Sequence, residues 1–396
     1  MIIFEALKKK HMKSALIVVC TLLITPLAIA QTVTGADTTF RPITTAVPFL
    51  TISPDARHAA LGDAGVATTP DANAAYWNPA KLVFIDKAYG GSLSFTPWLG
   101  KITNDMWISY ISAFYKITRE QTVAFGFKYF DLGDFYARSS SNEPEGTFNP
   151  KEFSIDLTYS RLLTENLSVG LTGRYIHSNL LGSYNGSSIT DTKPGNSVAV
   201  DIGVYQTFAL KGAKTNTFSW AASISNIGAK LTYSDSDNKD FLPTNLRIGT
   251  AFKTELDPFN SFTFIFDINK LLVPSPDEDG TIPDDSLLGG MFGSFHDAPD
   301  GFSEEIKEII LNMGVEYWYK QTFAGRIGYF SESVQKGNRK YMTLGVGFRK
   351  DRFGLDVAYL VPTNKREHPL AETVRFTLLF QIHQKEKEEE TVTEPD

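Results

Sequence analysis

The residues that could do chemistry are few in this chain, and their spacing suits neither catalysis nor metal binding. Apart from His11 in the N-terminal leader, the histidines are His58, His177, His296, His368 and His383. None has a second ligand at zinc-site spacing, and no Gly-x-Ser-x-Gly elbow presents a nucleophile. The one cysteine, Cys20, lies in the leader, so the exported chain has no thiol and no disulfide. Asp277-Glu278-Asp279-Gly280 suggests calcium but lacks the alternating oxygen ligands and terminal glutamate of a calcium loop. A solvated acidic loop is expected instead. No enzyme activity, cofactor or metal follows from these residues.

What the sequence does have is charge of both signs at alternate positions in otherwise apolar zigzags. Lys128, Arg174, Arg247, Lys253, Arg326, Arg349 and Arg375 share a parity with Asp156, Asp201, Asp267, Glu316 and Asp356. In a shared interior, such mixed charges are expected to cross-link neighbouring strands rather than select an ion.

The elements that hold these charges read as β-strands. From about Ala88 the period is two, as in Leu167/Val169/Leu171 against Ser168/Gly170/Thr172 and Val374/Phe376/Leu378/Phe380 against Arg375/Thr377/Gln381. Fourteen such segments begin near residues 88, 105, 121, 151, 166, 196, 216, 241, 259, 311, 322, 338, 352 and 371. Most run about ten residues, the length a tilted strand needs to cross a bilayer, whereas soluble sandwiches use about five or six. Short and long connections alternate, and an even number of strands can close without an edge. Aromatic residues including Trp98, Trp107, Tyr110, Tyr129, Tyr175, Trp318 and Tyr341 fall near strand ends, where headgroup-level girdles are expected. The expected fold is therefore all-β: a 14-stranded antiparallel transmembrane β-barrel over 88–383.

Residues 1–30 read as a cleaved signal peptide, since Lys8, Lys9, Lys10 and Lys13 precede an apolar core and the small-residue site Ala28-Ile29-Ala30. The chain carries a net charge of −7, and its acidity is concentrated. Ten acids face only Lys307 between Leu271 and Ile310, and six acids face two lysines in the tail over 384–396. No basic stripe exists for phosphates, so nucleic acid is excluded as a partner. The long acidic connection also holds Leu287, Leu288, Met291, Phe292 and Phe295, and ends in an amphipathic turn capped by Ser303. Apolar groups framed by charge mark it as a candidate partner-binding loop.

Residues 31–87 are expected to form a compact plug in the lumen: Asp55 and Asp71 open two short helical stretches, and Pro79 stops the second. Within it Arg57, Ala60-Leu61-Gly62, Ala64-Gly65, Asp71 and Asn78-Pro79-Ala80 resemble the N-terminal hatch of the long-chain fatty-acid transporter (FadL) superfamily. Two further stretches, Ser223 to Tyr233 and Asp267 to Pro276, resemble the PorV (LptO) family of type IX secretion proteins. That resemblance implies an outer-membrane protein, multi-pass and surrounded by membrane lipid. It also implies partners: a large outer-membrane translocon barrel, cargo C-terminal signal domains, and a surface attachment complex to which cargo is passed. The alternative is a FadL-like transporter of hydrophobic small molecules, whose mark would be an apolar inward parity in several adjacent strands.

Overall fold

The structure is a computed structural model that describes residues 40–100, 103–138, 141–180, 193–210, 212, 215–234, 239–277, 280–363 and 373–382. The expected signal peptide, the acidic tail, His368 and His383 lie outside the described residues.

Among the described residues the chain forms sixteen strands, those of the barrel alternating apolar and polar side chains. In chain order they are β1 (Tyr89–Pro97), β2 (Trp107–Thr118), β3 (Gln121–Asp131), β4 (Phe135–Arg138), β5 (Pro144–Phe148), β6 (Lys151–Thr164), β7 (Leu167–Asn179) and β8 (Gly195–Leu210). There follow β9 (Asn216–Gly228), β10 (Asn245–Asp257), β11 (Asn260–Leu271), β12 (Ile310–Tyr319), β13 (Phe323–Ser331), β14 (Lys340–Lys350), β15 (Phe353–Pro362) and β16 (Val374–Ile382). All but β4 and β5 join one closed antiparallel barrel. Its seam pairs β1 with β16, from Tyr89↔Ile382 to Phe95↔Phe376. Closure satisfies every strand's backbone in the ring, the condition for a sheet in lipid.

One face of each strand is buried and the other presents large apolar side chains: Leu93, Phe125, Leu157, Leu171, Val198, Phe264, Val346 and Leu378 are all exposed. A belt of that extent belongs in hydrocarbon. No helix among the described residues is long and apolar enough to cross a membrane. Both barrel termini share one end with the short turns. At the β12–β13 turn, Lys320 and Gln321 both take the left-handed conformation of a tight hairpin. That end faces the periplasm and the long connections face outward.

Three details depart from expectation. The β3–β6 connection contains the β4–β5 hairpin, held partly by Phe135 stacked on Phe148 at 5.4 Å, within a sequence whose Pro and polar residues read as plain loop. Trp98, Tyr110 and Tyr341 turn inward and are buried, so they do not belong to the girdle. In the β11–β12 connection, α3 (Leu287–Gly293) is capped by Ser286, whose Oγ accepts from Gly289 N at 3.1 Å. The second helix, α4 (Phe302–Glu305), follows Gly301 at positive φ with no side-chain cap; Ser303 lies inside it and caps nothing.

The N-terminal segment 41–87 folds into α1 (Ala56–Ala59), α2 (Ala74–Trp77) and two 3-10 turns, Pro48–Thr51 and Pro79–Phe84. Asp55 caps α1 by accepting from His58 N at 3.1 Å. Asp71 acts one step before α2, accepting from Asn73 N at 2.8 Å. Alanines at 56, 60, 64, 67, 72, 74 and 80 are completely buried, which lets the backbone approach its surroundings closely.

Candidate functional site

Two arrangements carry functional information: the latch between segment 41–87 and the inner wall, and the platform formed by the outer connections. The latch is built from the motif residues. Arg57 on α1 makes a two-pronged pair with Glu316 of β12, at 2.9 and 2.8 Å, and a third contact of 3.0 Å with Asp71. Glu316 also accepts from Arg326 of β13 at 2.7 Å, Arg326 donates to Asp356 of β15 at 2.8 Å, and Asp356 takes Arg349 of β14 at 2.6 Å. One ionic chain thus runs from the segment across four strands. Arg174 of β7 bridges Asp156 of β6 and Asp201 of β8 in the same manner, at 2.6 and 2.9 Å.

The other motif residues are fixed by backbone or small polar groups of the wall. Gly62, at φ +69°, donates to Thr343 Oγ1 at 2.9 Å and accepts from Asn312 Nδ2 at 2.6 Å. Gly65 N donates to Asp267 Oδ2 at 2.6 Å. Asn78 Oδ1 accepts from Ala80 N at 3.0 Å, and its Nδ2 donates to the Val204 carbonyl of β8 at 3.0 Å. The Ala80 carbonyl accepts from Ser160 at 3.0 Å and Ser168 at 2.6 Å. Ala56 N and the Ala72 carbonyl bond to Thr377 of β16 and Ser112 of β2, each at 2.8 Å. Strands from both halves of the ring hold the segment. Asp267 and Glu316 stand among the expected inward charges, but that they hold this segment rather than a neighbouring strand is seen only here; one signal for the docking existed, since glycines interrupt the inward parity where the segment docks. A methyl group on Gly170 or Gly203 would run into Asn78-Pro79-Ala80, and one on Gly328 into Gly62.

Inside the segment, His58 Nδ1 lies 2.7 Å from Asp55 Oδ2 and its Nε2 lies 2.9 Å from Thr68 Oγ1. An acid, an imidazole and a hydroxyl in line resemble a hydrolytic set. His58, Asp55 and Thr68 are wholly buried, however, and Trp77 covers the imidazole at 4.8 Å while donating to Asp55 at 2.7 Å. The group braces α1 against α2.

The outer platform is organised by ion pairs. Lys270 reaches Glu305 at 3.1 Å and Glu308 at 2.6 Å; Lys336 reaches Glu304 at 2.6 Å and Glu308 at 2.9 Å. The carboxylates of Asp297, Glu305 and Glu308 converge within 4.8 Å, but lysine ammoniums already serve two of the three. Burial and the neighbouring Glu308 and Glu305 push the Asp297 carboxyl up, against the pull of its bonds with Ser275. Burial alone would raise Glu304 as well, yet bonds from Lys336 and Asp300 N, with the charges of Lys336 and Arg41, hold it below the usual carboxylate range. Glu304, Glu305 and Glu308 thus serve as internal bracing, whereas Asp277, Asp284, Asp285 and Asp300 stay exposed.

On that scaffold Leu288 and Phe295 are exposed, with Phe292 at 69% and Phe302 at 79%. Leu287 is half-buried, and Met291, at 6%, turns into the protein. The expected loop surface therefore loses Met291 and gains Phe302 and Ile306.

The family model described as "Type IX secretion system protein PorV" matches residues 35–278, more than half of the chain. No curated protein matches the sequence. Among solved structures, the Pseudomonas putida toluene transporter TodX is similar at 11% identity and a TM-score of 0.50, over 83% of this chain and 99% of that one. The Ralstonia pickettii toluene transporter TbuX gives 12% identity and a TM-score of 0.46, over 83% and 98%. A Pseudomonas aeruginosa FadL homologue gives 11% identity and a TM-score of 0.41, over 87% and 100%. At such identities the structural likeness concerns the barrel fold alone, whereas the family match extends to role. The chain belongs to the PorV family and is an outer-membrane β-barrel component of the type IX secretion system.

Proposed function

We propose that this barrel receives exported cargo through the cargo's C-terminal signal domain, works beside a large translocon barrel, and passes cargo to a surface attachment complex. Transfer occurs on the outer connections, and segment 41–87 serves as a hatch that keeps bulk solvent from crossing. The observation that carries this reading is the apolar cluster Leu288, Phe292, Phe295 and Phe302, held outside the membrane on an ion-paired scaffold. A protein that moved small hydrophobic molecules through its lumen would need an apolar inward face. Here that face presents Ser160, Ser168, Thr343, Thr377 and the ionic chain to a docked segment.

Truncating one of the few anchor residues that dominate an interface costs about 2 kcal/mol or more. Replacing Phe292 and Phe295 together with serine should therefore lower recovery of translocon barrel and cargo signal domains more than tenfold in a mild-detergent pull-down. The folded barrel, followed by its heat-modifiable gel mobility, should be unaffected. Undiminished recovery overturns the contact, and a lone barrel carrying a fatty acid turns the reading toward the transporter.

A further inference from the structure

We propose that the cavity on the outer side of segment 41–87 receives the C-terminal carboxylate of an incoming polypeptide, with Arg247 as its counter-ion. This rests on the cargo-binding reading above and specifies which chemical group of the cargo enters the lumen. The cavity encloses about 540 Å³, within the usual range of ligand sites. Ser53, Asp63 and Trp77 line its inner part, and Pro42, Pro243 and Lys336 line its outer part.

Arg247 of β10 is 7% exposed, and its guanidinium lies 5.4 Å from the Tyr76 ring and 5.2 Å from the Trp77 ring. Among the described residues it makes no ion pair. Its charged neighbours on the cavity are otherwise engaged. Arg339 makes two 2.8 Å bonds to Glu332, and Lys336 is taken by Glu304 and Glu308. Arg375 donates to the Ser53 carbonyl at 2.7 Å and stands 3.8 Å from Asp63, which also takes the Tyr341 hydroxyl at 2.6 Å. One buried cation on the cavity is left without an ion pair, Asp201 and Asp267 acting on it only from beyond contact. Stacking on two rings offsets part of its desolvation, and an anion would supply the rest.

Two further observations identify the ligand's chemistry. Asn269 Oδ1 and Ser53 Oγ, both buried on this cavity, have no hydrogen-bond partner. A planar carboxylate matches the guanidinium fork, while a hydroxyl that donates to a carbonyl and an amide oxygen that accepts from an N–H match a peptide backbone. An acyl chain would leave both polar groups unmet. Trp98, Phe130 and Phe330 complete the lining with surface for side chains.

The test is calorimetry on the full barrel in detergent, using N-acetyl-hexa-alanine as free acid, its C-terminal amide, and octanoate. The free acid should bind at least tenfold more tightly than the amide, and Arg247→Gln should erase that difference while gel mobility reports a folded barrel. Asn269→Leu should weaken the free acid and leave octanoate unchanged. Equal binding of acid and amide, or no binding of either, overturns the proposal, as does octanoate binding more tightly than the peptide. Cargo-domain capture that depends on Phe292 and Phe295 but ignores terminal amidation removes this inference alone and leaves the cargo reading in place.

Discussion

Arg57→Ala tests whether segment 41–87 is a separable unit latched to the wall. In the native protein the guanidinium satisfies Glu316 twice and Asp71 once, all three groups being almost fully buried. Truncating one partner of a buried ion pair costs about 3–5 kcal/mol, because a charge remains without its complement. Glu316 keeps Arg326 at 2.7 Å, so the wall is not left uncompensated; Asp71 loses its ion pair and keeps the bond from Asn73 N. That argues for the lower end, about 3 kcal/mol, and at about 1.4 kcal/mol per decade the undocked population should rise roughly a hundredfold. Amide hydrogen exchange in nanodiscs measures this directly. Amides of α1, α2 and the Pro79–Phe84 turn should exchange about a hundredfold faster in the variant, with the barrel strands unchanged. Unchanged exchange of the segment would refute the latch. Equal acceleration in segment and strands would show that the two unfold as one body.

Three other outcomes follow from the same geometry. Gly170→Val should strain docking of Asn78-Pro79-Ala80 by about 1–3 kcal/mol and lower the unfolding midpoint, whereas Gly173→Val, which meets only open space, should leave it unchanged. Because Glu304 titrates below its ordinary value of 4.5 when folded, its stabilising contribution is complete above that pH and is lost as pH falls through the folded value. Protection of the α4 amides, taken relative to their intrinsic exchange rate at each pH, should accordingly fall in acid below pH 4.5, and Glu304→Gln should flatten that dependence. Phe302→Ser should add to the capture defect of the Phe292 and Phe295 substitutions; no added loss would place Phe302 outside the contact.

The barrel was legible because lipid on one side and packed interior on the other impose strict alternation, which reads directly as period two. Observed strands begin within four residues of the expected positions, the largest difference being β10 at Asn245 against 241. Short apolar runs near Trp98 and Tyr110 were misread, since an aromatic at a strand end looks alike whether it faces headgroups or a lumen. Ser303 misled because a serine before acids mimics a cap, while the true helix start was set by the backbone of Gly301. The latch was half visible: Arg57 and Asn78-Pro79-Ala80 stood out, but Glu316, Thr343 and Gly203 belong to distant strands and acquire meaning only when the ring closes. Arg247 looked like any inward charge, and its distinction, the lack of an ion pair within contact distance, is a property of three-dimensional placement.

The bonds from segment 41–87 to both halves of the ring constrain the order of assembly. Thr377 holds Ala56 while also lying on the last strand, which must find the first across nearly the whole length of the polypeptide. A finished cylinder offers no side entrance through which a folded insert could pass. Entry after closure is then through an open end of the ring, whereas an insert already docked when the seam is zipped spares that passage and acts as a mandrel around which the later sheet is wound.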